Sequence, residues 1–358
     1  MTDYAFLVRP SHNRVYSQAA LALVQAELGV FNERALGGRL TGVGTAELGG
    51  VPYVTFSTDG EGELTEGELR LLANLSSLYA LFAYDREAGT LRPVTARPLD
   101  LFSSDLLTIQ KYSGKTNEDF TKLLLNVTAM ATDRPQALLD RALRVLDPMC
   151  GRGTTLNQAL MYGLDSAGMD VDAQDFDAYA LFLRTWLKHS RLKHQAESGP
   201  IRRNKRTLGR RFQASIGADK ERYKRGEVIG LEVVNADTLQ AREFFRPSSF
   251  DLVVTDAPYG VQHGSRPGGG GQGGGQGGPR LDRSPTALLR AAVPVWTELL
   301  RPGGAIGISW NTHVAGREEL AGVLAEAGLE VRDSEAYRGF EHRVDQSIVR
   351  DLVVARKP

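Results

Sequence analysis

The sequence lacks the features that mark secreted and membrane proteins. Its 358 residues contain one cysteine, Cys150, which excludes an internal disulfide and the clustered thiolates of a structural zinc site. No stretch approaches the roughly 20 consecutive apolar residues that a membrane span needs. Residues 1–14 also lack the basic and apolar regions of a secretion signal. These absences predict a cytoplasmic protein without a membrane partner.

Net charge is absent as well. Lys and Arg total 43, as do Asp and Glu, so attraction to phosphate would require uneven placement of charge. Residues 184–225 form a basic insertion with fourteen Lys or Arg against three Asp or Glu, which suits anions, although a solvated insertion has the same composition. Residues 264–278 contain ten glycines, and we predict a flexible loop there because glycine loses the most conformational entropy on ordering.

The first part of the chain shows a βαββαβ pattern. Hydrophobic periodicity predicts strands at residues 4–8, 40–46, 52–57 and 78–84, and helices at residues 18–28 and 66–75. This order is the ferredoxin-like plan, so we predict a small α+β N-terminal domain at residues 1–95. Residues 96–131 are predicted to be a linker followed by an amphipathic helix at residues 117–131.

Strands and helices alternate through residues 132–358, apart from the two biased segments. This pattern predicts a second domain of the Rossmann-like α/β class, with a mostly parallel sheet covered by helices on both faces. Residues 337–340 and 347–355 are predicted to be two further strands that close the sheet, the final pair antiparallel.

A glycine-containing loop, DPMCGRGTT, begins at Asp147 between a predicted strand and a helix. Ligands of open α/β sheets lie at the carboxyl ends of strands, where glycine lets the backbone approach them, so we predict a nucleotide-like cofactor here. The pattern lacks the third glycine of a dinucleotide fingerprint and the Gly-Lys-Thr of a P-loop. A tight turn without a ligand is the alternative. The candidate cofactor residues in this loop are Asp147, Met149, Gly151, Gly153 and Thr154.

Two further carboxylates follow predicted strands. Asp170 lies 23 residues after Asp147, a distance at which a carboxylate can accept hydrogen bonds from ribose hydroxyls, and Val171 follows it in the same motif. Asp237 ends the next predicted strand and is suited to an adenine amino group. The six histidines show no paired metal-ligand spacing, so no metal site is predicted.

An apolar strand then leads into Asp256, Ala257, Pro258 and Tyr259. An exocyclic amine is a poor nucleophile because its lone pair is delocalised, so it needs acceptors that hold its N–H groups. The Asp256 carboxylate and the Ala257 carbonyl are candidate acceptors, and Tyr259 offers a face on which an extruded base can stack. We predict that these four residues form the catalytic motif.

The three motifs together resemble those of the amino-methyltransferases with an Asp/Asn-Pro-Pro-Tyr motif, above all the THUMP-associated RNA guanine-N2 methyltransferases of tRNA and rRNA. The resemblance implies a seven-stranded class I methyltransferase sheet, S-adenosyl-L-methionine as cofactor and methylation of the guanine N2 amine in tRNA. It also implies that the N-terminal domain binds RNA. In related enzymes the segment before the amphipathic helix closes over the cofactor, which implies roles for Thr116, Asn117 and Phe120.

The sequence departs from the family where Ala257 replaces the first proline. Alanine keeps the carbonyl but loses the fixed φ angle, so we expect a less rigid second acceptor. The alternatives are a DNA adenine-N6 or cytosine-N4 methyltransferase, which uses the same motif, and a non-catalytic RNA-binding protein with this fold. A protein glutamine methyltransferase usually has asparagine in place of Asp256.

Overall fold

The computed structural model describes residues 2–10, 14–59, 62–112, 114–257 and 285–358. Pro258, Tyr259 and the glycine-rich run of residues 264–278 lie outside the described residues. The described residues form two β-sheets joined by helices. Within these ranges no helix combines the length and the apolar character needed to cross a membrane.

The first sheet has the ferredoxin-like strand order. Its elements are β1 Thr2–Val8, α1 Arg14–Ala35, β2 Leu40–Leu48, β3 Val51–Thr58, α2 Glu66–Leu72, β4 Leu78–Asp85 and β5 Thr90–Val94. The strands are ordered β2-β3-β1-β4-β5 with all neighbours antiparallel, which confirms the predicted order and adds one strand. The added strand β5 contains Pro93, which is tolerated because β5 lies at the edge of the sheet.

A buried polar network connects the first sheet to the second. Two helices follow β5, namely α3 Asp105–Thr108 and α4 Glu118–Met130. The Glu27 carboxylate of α1 accepts hydrogen bonds from Asn126 of α4 at 2.7 Å and from the Ser76 hydroxyl at 2.6 Å. Burial raises the pKa of Glu27. Because buried polar groups are costly unless they are satisfied, this network favours one position of α4 against the first sheet.

The second sheet contains ten of the described strands. The strands are β6 Val145–Asp147, β7 Ser166–Asp170, β8 His194–Arg203, β9 Arg206–Ile216, β10 Ile229–Asn235, β11 Phe250–Asp256, β12 Leu300–Asn311, β13 Glu330–Arg332, β14 His342–Arg343 and β15 Val349–Arg356. The helices are α5 Thr154–Met161, α6 Ala173–His189, α7 Lys220–Lys224, α8 Ala241–Phe244, α9 Pro285–Leu299 and α10 Arg317–Glu326. Short 3-10 helices span Pro135–Leu138, Thr238–Gln240 and Glu335–Arg338.

Seven strands of this sheet have the order β13-β15-β12-β11-β6-β7-β10. Strands β12, β11, β6, β7 and β10 are parallel to one another, and β15 runs antiparallel between β12 and β13. This is the predicted Rossmann-like arrangement with an antiparallel strand near one edge. Ligands of such sheets bind at the carboxyl ends of the parallel strands, so a site is expected at that edge.

One segment differs from its predicted form, and the structure also gives the form of the basic insertion. Residues 337–340 were expected to be a strand, but the region forms the 3-10 helix Glu335–Arg338. Its aromatic residues Tyr337 and Phe340 are both fully buried, and a spacing of three residues brings them to one face of a helical turn. The basic insertion, for which no structure was predicted, includes the hairpin β8–β9, which pairs with β10 and extends the sheet.

Candidate functional site

The four acidic residues singled out in the sequence follow or end adjacent strands at the same edge of the second sheet. In the strand registers, Asp147 of β6 lies opposite Gly168, and Asp170 of β7 lies opposite Asn235, two residues before Asp237. Asp256 ends β11 opposite Ser309 of β12. Since β6, β7, β10 and β11 are parallel, all four acids lie at the carboxyl edge.

Left-handed backbone at two glycines shapes the loop between β6 and α5. Gly151 and Gly153 have φ angles of 48° and 77°. A Cβ atom at Gly153 would also lie 2.3 Å from the Tyr179 ring, so a side chain is excluded there on both grounds. A Cβ atom at Gly151 would meet no atom within 4 Å. The open space beside Gly151 fits the close approach of a nucleoside.

Asp170 is oriented by backbone donors next to that space. One carboxylate oxygen accepts a hydrogen bond from the Gly151 N–H at 2.7 Å, and the other accepts one from the Asp172 N–H at 2.8 Å. Each oxygen retains acceptor capacity for a ribose hydroxyl. Burial raises the pKa of Asp170. Val171 is 72% exposed, and Asp237 accepts from the Leu239 N–H at 3.0 Å at the start of a 3-10 helix.

Asp147 lies deeper than the other acids, at 3% exposure. Burial raises its pKa to about 7, although the Thr155 hydroxyl and the Met149 N–H, at 3.2 Å, both favour the ionised form. The neighbouring Thr154 hydroxyl is hydrogen-bonded to the Tyr112 hydroxyl at 3.1 Å. This contact ties the segment before α4 to the glycine loop.

The Asp256 carboxylate is surrounded by donors from three separate parts of the chain. Ser309 at the end of β12 donates its hydroxyl to one oxygen. Thr116 donates its hydroxyl to the other oxygen at 2.5 Å, and the Arg350 guanidinium of β15 lies 3.4 Å from the same oxygen. Thr116, expected at the cofactor, therefore contacts the catalytic candidate. Three donors hold the carboxylate in one orientation.

Phe120 and Asn117 support this cluster from α4. The Arg350 guanidinium carbon lies 4.6 Å from the centroid of the Phe120 ring, a distance typical of a cation–π contact. Phe120 is fully buried, so its ring does not line an open surface. The Asn117 side chain accepts a hydrogen bond from the Phe120 N–H at 3.1 Å and caps the helix. Cofactor contacts of Asn117 and Phe120 remain a prediction from the sequence.

Ala257 is held by a contact that proline cannot make. Its side chain is buried, and its N–H donates to the Ser309 carbonyl at 2.8 Å. Proline has no N–H, so the usual family residue would forgo this bond. The expected loss of rigidity at this position is therefore offset by a hydrogen bond to the neighbouring strand. The role of the Ala257 carbonyl as second acceptor remains a prediction.

A cavity of about 1350 Å³ lies beside the Asp256 cluster. Its walls come from the first sheet, the segment before α4, and residues around β14 and β15. Lining residues include Arg9, Tyr79, Tyr112, Thr116, Arg343 and Arg350. Pockets that enclose drug-sized ligands measure roughly 300–1,000 Å³, so this one has room for a nucleotide. Among the described residues no group of three or more His, Cys, Asp or Glu could hold a metal ion.

The glycine loop, Asp170, Asp237 and Asp256 all fall within one stretch that matches a known family. Residues 136–269 match the family model of the RMKL-like, methyltransferase domain. This part of the chain is an S-adenosylmethionine-dependent methyltransferase domain.

Curated relatives of the methyltransferase domain carry the name ribosomal RNA large subunit methyltransferase K/L. The protein from a Marinomonas species is 31% identical over 132 residues, which are 34% of this chain and 17% of that protein. The protein from Photobacterium profundum is 31% identical over 128 residues, with 34% and 18% covered. The chain thus aligns with less than a fifth of the length of either relative.

Solved structures resemble the chain more distantly. A TehB-like SAM-dependent methyltransferase from Corynebacterium glutamicum is 16% identical with a TM-score of 0.33, covering 62% of this chain and 86% of the other. The PH0226 protein from Pyrococcus horikoshii is 12% identical with a TM-score of 0.36, covering 72% and 96%. The fold assignment of the methyltransferase domain rests instead on its own strand order.

Sequence reasoning missed two partners of Asp256. Ser309 directly precedes Trp310 and Asn311 at the end of β12. The structure places Trp310 in the core with its indole N–H on the Ala315 carbonyl at 2.8 Å, whereas Ser309 contacts Asp256. Arg350 carries no local signal, because only the pairing of β15 with β12 brings it to the site.

Because the pKa of Asp147 is raised, both cofactor binding and stability of the methyltransferase domain should depend on pH. We expect S-adenosylmethionine to bind more tightly as pH rises towards about 7, by up to about tenfold per pH unit, because only the ionised carboxylate attracts the cationic amino group of the cofactor. The free energy of unfolding of the cofactor-free protein should change in the opposite direction. Because the pKa of Asp147 in the folded protein, about 7, exceeds its ordinary value of 3.8, stability falls as pH rises between these two values.

Calorimetric titrations and thermal unfolding at several pH values check both trends. Asp147→Asn has no carboxyl to titrate and should flatten both curves. If the variant and the wild type give parallel pH profiles, Asp147 is not the group responsible.

Proposed function

We propose that this chain transfers a methyl group from S-adenosylmethionine to the exocyclic N2 amine of a guanine in RNA. The observation that carries the proposal is the Asp256 carboxylate, which is oriented by Ser309, Thr116 and Arg350, two of which, Thr116 and Arg350, also line the cavity. A carboxylate held in this way is prepared to accept N–H groups without reorganising, which is the main source of electrostatic catalysis.

Asp256 and Ala257 would each accept one N–H group of the amine. The Asp256 carboxylate accepts one N–H of the guanine amine, and the Ala257 carbonyl accepts the other, so that the nitrogen lone pair points towards the methyl group. Ser309 holds both acceptors, since it donates to the Asp256 carboxylate and accepts from the Ala257 N–H. No covalent intermediate on the protein is required.

Residues at the glycine loop would hold the cofactor. When bound, S-adenosylmethionine supplies an electrophilic methyl group on a sulfonium. Asp170 would accept the ribose hydroxyls, Asp237 the adenine amino group and Asp147 the amino group of the methionine part. Gly151 leaves open space next to Asp170, because a Cβ atom there would meet no atom within 4 Å.

The cavity walls favour a nucleic acid as the substrate. Lys111 and Arg343 supply positive charge, and Tyr79 of β4 is 64% exposed beside the cavity, where a base can stack on it. The sequence motifs resemble those of tRNA and rRNA enzymes and favour tRNA. A second candidate substrate is large-subunit rRNA, because the curated relatives carry that name.

Incubation with labelled S-adenosylmethionine and separate pools of tRNA, rRNA, DNA and protein tests the proposal. We expect label in one RNA pool, recovered as N2-methylguanosine or N2,N2-dimethylguanosine by mass spectrometry of nucleosides. Label in DNA would identify the adenine-N6 or cytosine-N4 alternative. Cofactor binding without transfer to any pool would favour the non-catalytic alternative.

A further inference from the structure

The hairpin β8–β9 extends past the cofactor edge of the sheet. Strand β9 pairs with β10 up to Arg210, which lies opposite Asn235 at the last residue of β10. Asn235 in turn lies opposite Asp170, the proposed ribose ligand. Residues 206–209 therefore continue beyond this edge, by roughly 13 Å at the usual rise of a strand. The tip of the hairpin is brought to the same edge as the proposed active site.

Specific contacts hold this overhang in place. Arg203 forms an ion pair with Glu243 of α8 at 2.5 Å, and Ile201 packs against the hydrophobic cluster that Leu239 and Phe244 also contact. A Cβ atom at Gly209 would lie 2.6 Å from the Asn235 carbonyl oxygen. Glycine therefore allows the backbone of β9 to lie close to the end of β10 at the point where the overhang begins. The overhang is thus anchored to the segment that follows β10.

The tip concentrates positive charge that carboxylates do not balance. It consists of residues 202–206, with the sequence RRNKR, and all five are exposed. Arg203 is paired with Glu243, whereas within the described ranges Arg202, Lys205 and Arg206 form no ion pair. At the opposite end of the insertion the cations do have partners: Arg222 pairs with Asp219 and Lys224 with Glu221. Three close, unbalanced cations repel one another and favour a polyanion.

We propose that the tip of this hairpin binds the phosphate backbone of the substrate RNA next to the target nucleotide. The inference rests on the proposed function, because it assumes that RNA reaches the edge occupied by Asp170 and Asp256. The exposed tip has no aromatic residue and one amide, Asn204, so its contacts are chiefly with phosphates and do not depend on base sequence. The hairpin positions the RNA while the cavity receives the base.

The test compares two full-length variants with equal loss of charge. The tip variant carries Arg202→Gln, Lys205→Gln and Arg206→Gln, and the control carries Lys220→Gln, Arg222→Gln and Lys224→Gln in α7. For the tip variant we expect the Kd and KM for RNA to rise about tenfold at 0.1 M salt, and the slope of log Kd against log salt to fall by about 2. Values of kcat and cofactor affinity should stay within about twofold of the wild type.

The control variant should change the Kd for RNA less than threefold by the same measure. Equal losses in both variants, or none in the tip variant, would overturn the role of the hairpin. RNA binding is measured by fluorescence anisotropy without turnover, so this result is independent of the proposed reaction. A wild type that binds RNA through the tip but methylates none would contradict the proposed function alone.

Discussion

Replacing Asp256 with alanine is expected to lower kcat by about 10²–10³-fold while cofactor affinity changes only a few-fold. The carboxylate is the acceptor that Ser309, Thr116 and Arg350 hold in place, and without it the amine loses its orientation. Methylation kinetics with the RNA pool that takes up label and calorimetric titration with S-adenosylmethionine measure the two quantities separately.

Two further variants distinguish a loss of catalysis from a loss of folding. Asp256→Asn keeps the shape of the side chain, so activity well below the wild type in a folded protein would assign the loss to chemistry. Asp251→Asn is the matched control: this buried residue lies near the amino end of β11 and pairs with Arg301 at 2.7 Å. We expect it to lower stability but to leave kcat of the folded protein within a few-fold. Loss of cofactor binding in Asp256→Ala would show that the acceptor pocket is misplaced.

Replacing Asp170 with alanine is expected to weaken cofactor binding by about 10²-fold, because hydrogen bonds to a charged acceptor contribute about 1.5–3 kcal/mol each. Asp170→Asn should be nearly as damaging. Both oxygens of Asp170 face backbone N–H donors, from Gly151 and Asp172, and an asparagine would turn its own NH₂ towards one of them. Calorimetry with S-adenosylmethionine gives the dissociation constants.

The chain offers a close control for Asp170. Asp172 lies two residues away and caps α6 by accepting from the Gln174 N–H at 2.7 Å. Asparagine is an equally good capping residue, so Asp172→Asn should leave the dissociation constant within about twofold. If both variants weaken binding equally, the loss comes from general disturbance of this edge, and Asp170 does not contact the ribose.

Local sequence patterns were sufficient to predict many of the helices and strands. The helix predicted at residues 117–131 is observed as Glu118–Met130, with Asn117 as its N-cap and Ala131 as its C-cap. Capping residues and hydrophobic periodicity act within a few residues, so they can be read without knowing the tertiary contacts. The same periodicity failed at residues 337–340, where two buried aromatics three residues apart fit a helical turn as well as a strand end.

The order of strands and helices along the chain was enough to predict an antiparallel first sheet and a mostly parallel second sheet, because short connections and right-handed crossovers allow few topologies. It also determined that the acidic residues follow strands, and therefore share one edge. Only the tertiary structure showed that Arg350 lies 3.4 Å from Asp256, 94 residues earlier in the sequence. It alone placed the basic hairpin tip beyond the end of β10. Both results depend on which strands are neighbours and on their register. Pairing between strands that are distant in the sequence produces no local sequence pattern from which it could be predicted.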